Sequence, residues 1–115
     1  MSEPVTITPV AGRVHIYFDD GEIASSVRAM RMERPGREPR VYLPLEDVHP
    51  QILEASDTTS EEEGLGAAHY YTIKTLTADG VDEAWYHPYA EGQFEPIRDL
   101  LTFGGDRIKL SITEV

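Results

Sequence analysis

His69-Tyr70-Tyr71-Thr72-Ile73-Lys74-Thr75-Leu76 and Val81-Asp82-Glu83-Ala84-Trp85-Tyr86-His87, joined by Thr77-Ala78-Asp79-Gly80, form the stretch on which the fold reading turns. Both flanks are rich in β-branched and aromatic residues, which suit a pleated, half-buried surface, and the Asp-Gly between them favours a tight turn. An antiparallel hairpin is therefore predicted. It gathers two of the four histidines, the only tryptophan and three of the six tyrosines.

The turn decides which of these side chains meet, because successive strand residues alternate faces. A type I turn over Thr77-Ala78-Asp79, with Gly80 as a left-handed bulge, pairs Thr77 with Val81. Tyr71 then opposes His87, Ile73 opposes Trp85, and His69, Tyr71, Trp85 and His87 share one face. A two- or four-residue loop instead places Lys74 beside Trp85 or Glu83. The bulged register sorts apolar from polar side chains more cleanly and is the one expected. Such a face suits a small-ligand pocket, since Trp and Tyr offer flat walls with polar handles and His a switchable donor or acceptor. It equally suits a sheet core whose polar atoms are satisfied internally.

Outward from this hairpin the chain keeps reading as strands. Arg13–Phe18 alternates polar and apolar, Asp19-Asp20-Gly21 turns, and Glu22–Ser26 returns. Val27–Met32 continues extended, with Val27 and Ala29 facing inward and Met30 and Met32 as core filler. Arg40–Leu43 is a short strand that Pro44 stops, and Arg107–Thr113 is the last one. Val5–Ile7 offers at most an edge strand within a flexible lead-in over residues 1–11, ahead of one β-rich domain over 12–115. One or two helical turns are expected over Glu46–Leu53 and a short amphipathic helix over Glu95–Leu101. Ser56–Ala67, polar and acidic, reads as the longest loop. The sum is a mainly β domain of five to seven strands with about two short helices.

A chain of 115 residues suffices for one core without staples. Cysteine is absent, which removes disulfides, thiolate metal sites and thiol nucleophiles. A net charge of −11 argues against a nucleic-acid partner. No apolar run approaches the ~18 residues of a membrane span, and no basic-then-apolar leader opens the chain. These totals suit a bacterial, cytoplasmic protein, monomeric or homodimeric, without a membrane partner. Arg28, Arg31, Arg34, Arg37 and Arg40 supply half of the basic residues at every third position. They read as a solvated loop around Pro35, Gly36 and Pro39, or as a fork set for a carboxylate or phosphate.

Several further runs carry a family resemblance: Ser26-Val27-Arg28-Ala29-Met30, Val41-Tyr42-Leu43-Pro44-Leu45-Glu46-Asp47-Val48, Glu54-Ala55-Ser56-Asp57, Gly66-Ala67-Ala68-His69-Tyr70-Tyr71, Glu83-Ala84-Trp85-Tyr86 and Phe103-Gly104-Gly105-Asp106-Arg107-Ile108. In order and spacing the chain resembles the bacterial domain of unknown function family 427, sometimes labelled nucleotidyltransferase-like. The resemblance covers about Arg13 to Leu110 and implies a compact β-tent-like fold without an established activity. Similar sequences often carry Cys-Pro-x-Lys-Gly where this chain reads Glu62-Glu63-Gly64-Leu65-Gly66, so chemistry resting on that thiol or lysine does not carry over. Nor does the chain contain the Asp-x-Asp pair or Gly-Ser turn common in two-metal nucleotidyl transfer.

The candidate ligand-binding residues are Arg28, Tyr42, Glu46, His69, Tyr71, Trp85 and His87. Arg28 would pair an anionic group at the pocket rim, and Glu46 would serve as a general base if enclosed, or as a helix cap. His69 and His87 with Glu62 or Glu63 have the right types for a metal but no recognised ligand spacing, so no metal is assigned and no cofactor is named. Ser25 and Ser26 lack a neighbouring His in a triad arrangement. The expected function is small-ligand binding at the aromatic and imidazole face. An enzyme on a small or nucleotide-like substrate and a protein-interaction module are the alternatives.

Overall fold

The computed structural model describes residues 4–114. The strands are β1 Thr6–Pro9, β2 Arg13–Phe18, β3 Gly21–Ser26, β4 Met30–Glu33, β5 Arg40–Tyr42, β6 Leu53–Glu62, β7 Gly66–Lys74, β8 Asp79–Tyr86, β9 Leu101–Phe103 and β10 Ile108–Thr113. They build three antiparallel sheets, ordered β1-β4-β5, β10-β2-β3 and β6-β7-β8-β9. The mainly β reading holds: 55% of the described residues are strand and 11% helical, in one compact domain. Among the described residues the strand count is ten rather than five to seven, partly because β6 occupies most of the stretch read as the longest loop. Ser56–Ala67 is instead the end of β6, a turn and the start of β7, and its polar side chains mark a largely solvent-facing strand. The expected edge strand near Val5–Ile7 is β1, while residues 1–3 of the lead-in lie outside the described residues.

The opening hairpin follows its alternation. Val14, Ile16 and Phe18 are buried on β2, and a bulge opposite Ile16/Tyr17 turns both Ile23 and Ala24 of β3 inward. These pack with Leu43, Val48, Ile73, Ala84 and Leu101 in a core between the β2-containing and β7-containing sheets. A second core joins Met32, Tyr42, Leu65, Ala90, Phe94 and Ile97. Met32 is core filler as expected, whereas Val27 is 48% exposed.

Among the described residues, helical structure is limited to 3-10 turns. Leu45–Asp47 and Pro50–Ile52 occupy the segment where one or two turns were expected. The amphipathic helix expected over Glu95–Leu101 is a 3-10 segment at Gly92–Ile97, with Pro96 inside it and Leu101 already in β9. Proline removes a backbone donor and blocks a longer helix, yet Phe94 and Ile97 still reach the core. Leu43, just past β5, exchanges backbone hydrogen bonds with Leu101 at 2.8 and 2.7 Å and ties the first sheet to the third.

The central hairpin forms, but in a different register. His69 opposes Tyr86, Tyr70 opposes Trp85 and Tyr71 opposes Ala84, while Ile73 opposes Gly80 and Lys74 opposes Asp79. The expected pairs Tyr71–His87 and Ile73–Trp85 are therefore absent. The physical reason is that Asp79 and Gly80, read as the end of the turn, already belong to β8. Thr75–Ala78 forms the loop, closed by the Thr75 N–H donating to Ala78 O at 3.0 Å and the Ala78 N–H donating to Thr75 Oγ1 at 3.1 Å. Gly80 sits inside β8, where a Cβ would lie 2.7 Å from the Phe18 ring. It is a glycine of close approach and not of the turn. A bulge then inserts residues of β8 opposite Thr72, with Asp82 at φ 56°, and the Thr58 hydroxyl of β6 donates to Asp82 Oδ2 at 2.6 Å.

Candidate functional site

This register divides the hairpin's aromatic residues between two faces. His69, Tyr71 and Tyr86 lie on one, with Leu101 of β9 opposite Tyr86. Tyr70, Trp85 and His87 lie on the other, with Thr102 opposite Trp85. The seven residues singled out from the sequence accordingly fall in three places rather than one.

The first is an interior polar brace between β5, the end of β6 and the end of β8. Glu62 accepts two parallel bonds from the Arg40 guanidinium at 3.0 and 3.1 Å and one from Arg34 at 3.1 Å, with Arg37 at 3.9 Å. Arg40 also donates to the Tyr42 hydroxyl at 3.0 Å and lies 5.7 Å from the centre of the Trp85 ring, itself 5.7 Å from Tyr70. Tyr42 in turn bonds His87 Nε2 at 3.1 Å. Arginine can only donate, so the Tyr42 oxygen accepts from Arg40, while the direction of the Tyr42–His87 bond is set by the His87 tautomer. The other ring nitrogen, His87 Nδ1, is buried and unpartnered.

The electrostatics follow from burial. The Arg34 and His87 side chains are 6% and 0% exposed. Burial pushes the His87 imidazole down to about 4; Glu62, 3.7 Å away, opposes the shift, while Arg40 and Arg34 add to it. His87 is thus neutral at ordinary pH. Burial alone would raise the Glu62 carboxyl, but hydrogen bonds and charge from Arg40 and Arg34 outweigh it and hold Glu62 below its usual range. The arginine run is therefore not simply a solvated loop: three of its five members converge on a carboxylate from the chain itself. Neither Arg34 nor Glu62 stood out as a partner in the sequence, because 28 positions separate them.

The second place is the surface beside the Leu45–Asp47 turn. Arg28 reaches Asp47 at 3.0 Å and Glu46 at 3.4 Å, and the Ser26 hydroxyl donates to Asp47 at 2.6 Å. Burial tends to raise Asp47, but bonds from Arg28 and Ser26 hold it below its ordinary value. Asp47 makes no side-chain cap on its own turn. Glu46 is exposed, and its pairing with Arg28 is a surface one.

The third place is a cleft of about 230 Å³ lined by Leu45, Tyr71, Tyr86, Asp99 and Leu101. Leu101 is 1% exposed and belongs to the core, whereas Tyr71 and Tyr86 are half-buried with ring centroids 5.7 Å apart. His69 continues the row, 5.7 Å from Tyr86 and 6.2 Å from Tyr89. Burial, then the proximity of Tyr71 and Asp99, raises the Tyr86 hydroxyl above its ordinary value, so it is neutral. Of the seven candidates, only Tyr71 lines this cleft, with His69 in the adjoining row. Tyr86 and Asp99 were missed: the first because the register put it on the polar face, the second because its segment was read as helix.

His69 and His87, considered with Glu62 or Glu63 as ligands, lie on opposite faces of the sheet. Among the described residues no three His, Asp or Glu side chains are grouped so as to hold a metal ion. Nor is any helix among them long and apolar enough to cross a membrane.

No curated protein matches the chain. The family model described as Domain of unknown function (DUF427), labelled NTP_transf_9, matches residues 6–114, from the first strand through the last. Its span takes in every strand that builds the brace and the cleft, and the chain belongs to this family.

Proposed function

We propose that this domain binds a small ligand in the cleft between Tyr71, Tyr86, Leu45, Leu101 and Asp99. The observation that carries this reading is the pair of tyrosine rings left half open above a fully buried leucine, beside a carboxylate. Apolar walls with a few placed polar groups are what orient a small molecule, and a volume below the ~300–1,000 Å³ of drug-sized sites favours a ligand of few heavy atoms. An enzyme reading draws less support from the same side chains. His87 is sealed from solvent with Nε2 engaged by Tyr42, and Glu46 and Asp47 are occupied by Arg28.

A thermal-shift panel of nucleotides, metal ions and small metabolites tests the proposal. At about ten times its Kd a specific ligand is expected to raise Tm by about 5 °C, by mass action. Tyr71→Ala is expected to abolish that rise. A rise that persists in Tyr71→Ala, or a flat response across the panel, contradicts the assignment.

A further inference from the structure

We propose that the ligand of this cleft is a small organic cation of the alkylated-ammonium class, an inference that rests on the cleft being a ligand site. Two features of the lining set the sign of the charge. The faces of tyrosine rings carry negative quadrupole potential and attract cations, and here Tyr71 and Tyr86 stand 5.7 Å apart at an interplanar angle of 31°. Asp99 is the one carboxylate among the lining residues, which include no Arg, Lys or His. Among the described residues, no Arg, Lys or His makes an ion pair with Asp99, including its neighbour Arg98. A net charge of −11 further favours a cation in the encounter.

The apolar part of the lining decides between a bare and an alkylated cation. Leu45 and Leu101 line the cleft with carbon, and no further carboxylate or carbonyl is supplied by its lining side chains to replace the water of a hard metal ion. An ammonium whose hydrogens are replaced by methyl groups carries little hydration to lose and presents carbon to both tyrosines and leucines. An anionic ligand would face Asp99 unpaired, and a neutral one would gain a hydrogen bond from it but no charge pairing.

The test uses the full chain with choline, tetramethylammonium and 3,3-dimethyl-1-butanol, the last being choline with its nitrogen replaced by carbon. Calorimetric titration is expected to show saturable binding of both cations and at least about tenfold weaker binding of the alcohol. Asp99→Asn isolates the charge, because asparagine keeps the shape and tolerates the φ of 64° found at this position. It is expected to weaken choline about tenfold. Tyr86→Phe, which retains the ring face, is expected to bind choline nearly as wild type, and Tyr86→Leu to lose about tenfold. Equal binding of choline and the alcohol, with both lost in Tyr86→Leu, overturns the cation class and leaves the ligand site standing. Binding of choline that ignores Asp99→Asn overturns it too. Failure of both cations to bind, while a panel compound binds in a Tyr71-dependent way, likewise removes the class and not the site.

Discussion

Replacing Glu62 with glutamine is expected to cost about 3–5 kcal/mol of unfolding free energy, because it leaves interior guanidinium groups without their counter-charge. Arg34 is the reason the effect is large: its side chain is nearly sealed, and Glu62 is its only ion-pair partner among the described residues. Glutamine keeps the shape and one acceptor oxygen, so the loss reports charge rather than a cavity. Urea denaturation followed by far-UV circular dichroism measures it. Replacing both partners with apolar residues, Arg34→Met with Glu62→Leu, is expected to recover much of the loss, since a buried ion pair is often no more stable than well-packed carbon. Loss within about 1 kcal/mol for Glu62→Gln, the level of a surface pair, would mean that the brace is effectively solvated. By contrast, Arg28→Ala is expected to leave Tm unchanged within error, because Arg28 is over half exposed.

The second large effect is a loss of stability on mild acidification, and its sign follows from His87. Above pH 6.5 the imidazole is neutral in the folded and unfolded chain alike, so its contribution is fully present. As pH falls from 6.5 to about 4, only the unfolded chain takes the proton, and the folded state loses ground throughout that window. Below about 4 the folded chain is protonated too and the loss is complete, at about 3 kcal/mol in total. Glu62 adds to the acid side: held below its usual value, it withdraws its own contribution as pH falls beneath the ordinary carboxylate range near ~4.3. His87→Gln is expected to be less stable at neutral pH yet to shrink the difference between about pH 7.5 and about pH 4.5 by about 2–3 kcal/mol. Urea midpoints at the two pH values check this, and an undiminished difference in the variant would show that His87 is not held neutral.

What could be read from the residues, and what could not, divides along sequence distance. The opening hairpin was legible because Val14, Ile16 and Phe18 alternate cleanly and Asp19-Asp20 turns where expected. The central hairpin was legible as a hairpin but not in register, because Gly80 has two possible causes. A turn glycine and a glycine that admits the Phe18 ring look identical until the other strand is placed. β6 was mistaken for a loop because its side chains are mostly solvent-facing and lack a buried face to leave a period in the sequence. The brace brings Arg34 and Arg40, from one run, together with Glu62, 28 and 22 positions further on, and with His87, so only the fold reveals that a loop rich in arginine closes on a carboxylate. His87 and Trp85 were recognised as chemically dense, yet they belong to this brace and not to the cleft.

The most direct test of the cleft is to map where a small molecule binds. Titrating choline into chain labelled with carbon-13 at tyrosine and leucine, and following the aromatic and methyl resonances, reads the site residue by residue. Saturable shifts are expected to concentrate at Tyr71, Tyr86, Leu45 and Leu101, with Tyr42 in the brace unmoved. Shifts confined to other residues would contradict the cleft as the site, and resonances that do not move at all would contradict the cation class.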